Sequence, residues 1–242
     1  MRYTRPHLAE VRSRRHSRPV QSEHFHSAAG DGPPPVEPEI RSAADFDDRR
    51  IRELRRVLAH RPALDAGRAA HEREAAVALL VRPGPQLELL LIRRSEHEAD
   101  PWSGHVALPG GRRDAADAAL LHTALRETEE EVGIPLGRVG ALLGMLDEVA
   151  PRNPALPPLV IAPFVLAVPP GTEAVPDRRE IDAAIWVPLA ALRSEEAVSE
   201  ILIELHDGTR RFPSLVYGEY VIWGLTHRIL LQFLELAEQA GL

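Results

Sequence analysis

Cysteine is absent from the 242 residues, which excludes a disulfide framework and thiol chemistry and fits a reducing, cytoplasmic setting. Lysine is absent too: all 29 basic residues are arginine, a bias we read as codon composition rather than function. Long apolar runs are missing. None approaches the ~18–20 residues of a membrane span, and no secretory signal is visible. The arginines form no continuous stripe and the net charge is −7, which argues against a nucleic-acid partner. What is present, 44% hydrophobic residues, suits one soluble domain with an extension. A globular part of about 180–200 residues would bury roughly 70% of its unfolded surface, enough for a core.

Residues 1–40 stand apart. MRYTRPHLAEVRSRRHSRPV is Arg-rich and GDGPPPVEPE is a Pro/Gly stretch without periodicity, so the expectation is a disordered arm ahead of a domain at 41–242. Then Ile51, Leu54, Val57 and Leu58 recur at helical spacing behind acidic residues, with Pro62 after them. EAAVALLV (74–81) and LELLLIR (87–93) read as strands joined by RPGPQ. Residues 117–132 read as a helix ending at Gly133. Further strands are expected at 139–146, 159–168 and 183–189, with a hairpin turning at Asp207-Gly208. A closing helix from about Val221 carries Ile222, Leu225, Ile229, Phe233 and Leu236 on one stripe. Strands and helices mix without regular alternation, which predicts an α/β sandwich with a mixed β-sheet.

RETEEEVGI, residues 126–134, places four glutamates in five positions at the end of that helix, where the macrodipole disfavours negative charge. At about 100° per residue Glu127, Glu130 and Glu131 share one face, with Glu129 elsewhere. Leu121, Leu125, Thr128 and Val132 form the flank that would meet a sheet. Such a carboxylate face suits a hard divalent cation such as Mg²⁺ or Mn²⁺, although a solvated acidic face is the commoner arrangement. Upstream, Pro109-Gly110-Gly111 permits close backbone approach, and Arg112 and Arg113 follow. A Gly-Gly loop feeding an acidic helix face with its own Arg126 fits a metal-bound, phosphate-bearing substrate.

The chain here resembles the Nudix hydrolases. Their box runs Gly, five residues, Glu, seven residues, then Arg-Glu-apolar-x-Glu-Glu-x-Gly-apolar. Its second half matches residues 126–134, with Thr128 in the apolar slot. Gly111 to Arg126 spans fifteen steps rather than fourteen. Ala118 stands where the family has Glu, and its neighbour Asp117 is the substitute expected. The coenzyme A diphosphatase branch similarly carries an extra residue and an Asp here. Its upstream signature looks like Leu90-Leu91-Ile92-Arg93-Arg94-Ser95 followed by Gly104 to Gly111, but Ala99 replaces the second Arg and Leu108 the Phe. Trp223-Gly224-Leu225-Thr226 is similar to the start of the branch's last helix. The resemblance covers about residues 48–236.

The resemblance implies a Nudix-type α/β/α sandwich in which Glu127, Glu130 and Glu131, with Asp117 as a further ligand, hold Mg²⁺ or Mn²⁺ on a substrate diphosphate. A metal-activated water would attack phosphorus. Arg126 would orient the carboxylates, Glu180 is the candidate general base, and Arg94, Gly110, Gly111, Arg112 and Arg113 would meet the substrate. The expected reaction releases 3′,5′-ADP and 4′-phosphopantetheine from coenzyme A or an acyl derivative. ADP-ribose, NADH or a nucleoside triphosphate is the alternative substrate, and a non-catalytic nucleotide-binding module the alternative class. The partner is a small nucleotide, without nucleic acid or membrane; a homodimer stays open. His97, His105 and His227 read as packing or surface residues and Trp186 and Trp223 as core. Trp102 reads as either a base stacker or a loop cap, and Asp147 and Glu148 as either further ligands or merely polar.

Overall fold

In the helix led by ADFDD, α1 (Arg49–Ala59), the Asp48 side chain accepts from the Arg50 N–H at 2.8 Å and satisfies one of the exposed N-terminal donors. Its apolar spacing buries Ile51, Leu54 and Leu58. The computed structural model describes residues 40, 46–66, 73–96, 104–151, 158–205 and 208–242. The chain divides into units 1–35 and 36–242, and the described residues belong to the second. The expectation of a disordered arm falls outside the described residues, as do His97, Ala99, Trp102 and Asp207. Ile40 packs on the inner core, just ahead of the boundary expected at 41.

The central sheet is mixed. It comprises β1 (Arg73–Arg82), β2 (Glu88–Arg94), β3 (Val106–Ala107), β4 (Gly110–Arg112), β5 (Ala141–Met145), β6 (Leu159–Ala167) and β7 (Ile181–Pro188). The order is β3-β2-β1-β6-β5, with β4 added to β1 and β7 to β2. Among the described strands only β1 and β6 pair in parallel; β6 is buried after its first residue and β1 over most of its length, as strands covered on two faces must be. One face packs on α1 and on the closing helix α5 (Gly224–Gln239). The other packs on α2 (Leu120–Val132) and the short α3 (Leu136–Val139). Helices on both faces make the expected α/β/α sandwich.

After the short α4 (Leu189–Leu192), a second antiparallel sheet forms from β8 (Val198–Leu205), β9 (Gly208–Tyr217) and β10 (Tyr220–Trp223), in the order β10-β9-β8. The strands expected at 139–146 and 183–189 run over Ala141–Met145 and Ile181–Pro188, and two helix starts differ from the periodicity. The helix expected from Val221 starts at Gly224, because Val221 to Trp223 pair with Val216, Leu215 and Ser214 and Gly224 breaks the strand at φ 67°. The helix expected from 117 starts at 120, because the Asp117 side chain serves another purpose, described below.

Candidate active site

The acidic helix α2 lies on the sheet so that its carboxylates are buried to very different depths. Glu131 is 2% exposed, Glu127 18% and Glu130 59%. Gly133 ends the helix in the left-handed conformation at φ 67°, its N–H returning to the Glu129 carbonyl. Glu129 points away and lies 3.8 Å from Arg138. Of the expected flank, Leu125, Thr128 and Val132 are buried against the sheet and Leu121 partly so.

Glu131 accepts the Gly110 N–H at 2.9 Å, and Arg94 Nη1 lies 3.7 Å from its other oxygen. Burial dominates nonetheless and pushes its carboxyl up to about 8, with the charges of Glu127 and Glu180 adding to the push. Burial likewise raises Glu127 above its ordinary value, against the opposing pull of Arg126. Glu180 sits on the 177–180 turn, which is fastened to α2 by the Asp177 N–H on the Glu131 carbonyl at 2.9 Å. The Glu180 carbonyl takes the Ser95 N–H at 2.8 Å. That turn brings Glu180 within electrostatic reach of both buried carboxylates.

Arg126 is held first by Asp117. Its Nε and Nη2 donate to the two Asp117 oxygens at 3.1 and 2.9 Å. Its Nη1 reaches both Glu127 and Glu130 at 3.0 Å. Asp117 also accepts from Thr123 Oγ1 and the Asp114 N–H, each at 2.9 Å. The Arg126 bonds hold its carboxyl well below the ordinary carboxylate range. Both Asp117 oxygens, expected to serve a cation, are engaged here in anchoring Arg126. Thr123, which sequence reasoning passed over, is buried six residues after Asp117. Its place on the inner helix face was the only available signal.

Gly111 makes room for an acid and Gly110 for the neighbouring strand. A Cβ on Gly111 would lie 2.4 Å from the Glu127 Cδ, and one on Gly110, at φ 147°, would lie 2.2 Å from the Ala76 carbonyl oxygen. These positions should respond differently to Gly→Ala. Gly110→Ala collides with backbone and should cost about 2–4 kcal/mol of stability. Gly111→Ala meets only the end of a flexible side chain, so stability should change by less than about 1 kcal/mol while turnover is lost. Urea unfolding and turnover measured on both variants check the contrast.

The arginines sort by sheet face. Arg94 points at the acids. Arg112 pairs with Ala75, whose side chain lies in the α1/α5 core, whereas Gly111 pairs with Ala76 on the α2 side. Arg112 therefore emerges on the face away from the carboxylates, where the pleat sends every second residue. Arg113 is tied to Glu74 at 2.7 Å and to the carbonyls of Asp117 and Ala118 at 3.2 Å, so it fastens the loop. Neither Arg112 nor Arg113, both expected to meet the substrate, is placed against the carboxylates here. Asp147 pairs with Arg61 and accepts the Leu64 N–H, and Glu148 accepts the Ala66 N–H; both fasten residues 61–66 rather than reach the acids. Burial of His227 favours its uncharged form, Trp186 is half-buried beneath Arg82, and Trp223 meets His105 edge to face.

A protein-family profile described as "NUDIX domain" matches residues 71–205. The chain is similar to the Nudix hydrolase NudL of Photorhabdus laumondii, 35% identical over 162 residues, spanning 67% of this chain and 83% of that protein. The NudL of Salmonella paratyphi B is 33% identical, over 71% of this chain and 84% of its own. A Schizosaccharomyces pombe protein is 40% identical over 119 residues, and the match spans 36% of its length. Among solved structures, the NUDIX domain of Shewanella oneidensis NrtR bound to ADP ribose aligns over 72% of this chain and 91% of its own, at 19% identity and TM-score 0.47.

Proposed function

The chain belongs to the NUDIX family of hydrolases, which act on phosphorus anhydrides, and on that premise we propose that it cleaves coenzyme A or an acyl-coenzyme A in the cytoplasm. Among the described residues no helix is long and apolar enough to cross a membrane. The observation that carries the site assignment is the burial of Glu131 and Glu127 beside Glu180, with Arg126 and Arg94 as their nearest cations. Like charges at this depth repel and are poorly solvated, so a divalent cation is the natural occupant. The donor set, all carboxylate oxygen, suits Mg²⁺ or Mn²⁺. Among the described residues no three acidic or histidine side chains converge on one point, and Arg126 and Arg94 lie against the carboxylates.

Glu127, Glu130 and Glu131 would hold that cation, which supplies charge neutralisation on the diphosphate and an activated water. The chain's own residues do the rest. The Gly110 N–H fixes Glu131, the missing side chain of Gly111 leaves space for Glu127, and the Asp117–Arg126 pair sets the rotamers of Glu127 and Glu130. Glu180, carried on a turn fastened to α2, would accept a proton from the attacking water.

Support for coenzyme A comes from the Leu90–Ser95 and Gly104–Gly111 stretches and from Trp223-Gly224-Leu225-Thr226. The latter two meet where the Trp223 ring lies 5.0 Å from His105. ADP-ribose, NADH or a nucleoside triphosphate is the second reading, favoured by Ala99 in place of the branch's second Arg. Purified protein with Mg²⁺ or Mn²⁺, offered coenzyme A, dephospho-coenzyme A, ADP-ribose and NADH, should cleave coenzyme A best. Arg94→Ala should lose more kcat/KM on coenzyme A than on dephospho-coenzyme A, because a charge-assisted contact to the 3′-phosphate contributes about 1.5–3 kcal/mol. Equal losses would remove that role from Arg94. Cleavage of ADP-ribose or NADH alone would move the chain out of the branch.

A further inference from the structure

The matched family domain ends at residue 205, whereas the antiparallel hairpin of β9 and β10 follows it. That hairpin is fastened to the active-site strand. Arg93 lies 2.6 Å from Asp182 and 3.5 Å from Glu219, and its guanidinium sits over the Tyr220 ring at 5.4 Å. Alternation along β2 then sends Arg94 the other way, toward Glu131.

The two faces of the hairpin differ. Leu215 and Ile222, a cross-strand pair, are buried in the main core, with Tyr217 and Tyr220 packed against it. The opposite face carries Phe212, Ser214 and Trp223. Ser214 pairs directly with Trp223, and Phe212 precedes it by two. The Trp223 ring is 5.0 Å from His105 at 62° and 5.7 Å from Phe212 at 48°. Both Phe212 and Trp223 are only half-buried. His105 accepts the Arg94 N–H on its carbonyl at 3.1 Å, so this aromatic group is one ladder position from the side chain that touches Glu131. Ser214 is 1% exposed, and its hydroxyl has no hydrogen-bond partner. A buried hydroxyl left without a partner is uncommon in a native protein.

We infer that Phe212, Ser214 and Trp223, together with His105, form the subsite for the nucleobase of the nucleotide substrate. The aromatic rings stack on the base and the Ser214 hydroxyl bonds one of its ring or exocyclic polar atoms. A flat, π-rich group with polar edges is what such a surface takes, since every base offers a π-face and a hydrogen-bonding rim. The inference rests on the diphosphate-hydrolase reading for its substrate. It assigns base recognition to a hairpin outside the matched domain, with the hydrolytic carboxylates inside it.

The test is calorimetric binding of AMP and of ribose 5-phosphate, which differ only in the base, to the full chain. The parent should prefer AMP by about tenfold or more. Trp223→Leu and Phe212→Leu should each shrink that preference several-fold, Ser214→Ala should shrink it less, and ribose 5-phosphate affinity should stay unchanged. Circular dichroism confirms folding, and if Trp223→Leu does not fold, Phe212→Leu decides. Equal affinity of the parent for both ligands would overturn the subsite. So would an unchanged preference in folded Trp223→Leu and Phe212→Leu. Failure to hydrolyse any nucleoside diphosphate derivative, beside an AMP preference that depends on Trp223, would sink the catalytic reading and leave the subsite standing. Hydrolysis without a preference would do the reverse.

Discussion

Glu131→Gln should lose turnover by orders of magnitude while its metal-free form becomes more stable than the parent above neutral pH. The argument rests on depth. Glu131 is 2% exposed, so the protein stabilises its neutral form and its carboxyl titrates near 8 instead of the ordinary 4.5. Between those values the folded chain keeps a proton that the unfolded chain has released. Stability therefore falls as pH rises from about 4.5 to about 8, by roughly 1.4 kcal/mol for each unit. Glutamine keeps the shape and the capacity to accept from Gly110 but has no charge to bury, so that slope should disappear. Thermal melts in chelator at pH 5, 6.5 and 8 measure it: the two proteins should match at pH 5 and diverge at pH 8. Mg²⁺ or Mn²⁺ should flatten the slope of the parent and leave the variant unmoved. If both proteins show the same pH slope, the buried carboxylate of Glu131 is not its source.

The second large effect belongs to the Asp117–Arg126 pair. Breaking a fully buried ion pair costs about 3–5 kcal/mol. Arg126 is 32% exposed, so solvent screening reduces the expected loss to about 1–3 kcal/mol for Asp117→Asn or Arg126→Gln. The two losses should not add, because each variant already removes the shared bond; a coupling of about 1 kcal/mol or more is expected in the double-mutant cycle. The sign of the pH dependence is opposite to that of Glu131. Asp117 is held below its ordinary 3.8, so its contribution is complete above that value and fades as the solution is acidified through the lower one. Asp117→Asn should therefore lose most stability at neutral pH and least in strong acid. Its turnover should fall as well, since Arg126 would no longer hold Glu127 and Glu130 in place. Normal turnover in a folded Asp117→Asn protein would assign the pair to stability alone.

Local spacing in this chain carried a great deal. The step of about 100° put Glu127, Glu130 and Glu131 together, and the same period marked the flank of Leu121, Leu125, Thr128 and Val132, of which only Leu121 is less than fully buried. Gly133 stopped the helix in the left-handed conformation that it alone adopts cheaply. The alternating and continuous apolar runs located the strands, and the RETEEEVGI stretch carries the likeness to the family whose profile matches residues 71–205. These features are legible because each depends on neighbours within about one or two turns of chain.

Tertiary structure decided what each side chain faces. A helical wheel gives angles but not what lies opposite, so it could not separate buried Glu131 from exposed Glu130. The position of Asp117 suggested a ligand, and only the fold brought both of its oxygens to Arg126. Arg112 follows the glycine loop directly, yet its pairing with Ala75 turns it to the far face of the sheet. Val221 to Trp223 looked helical until β9 supplied a partner strand. In each case the deciding interaction joins residues distant in sequence or in direction, and the free energy of burying or pairing them outweighs the local preference.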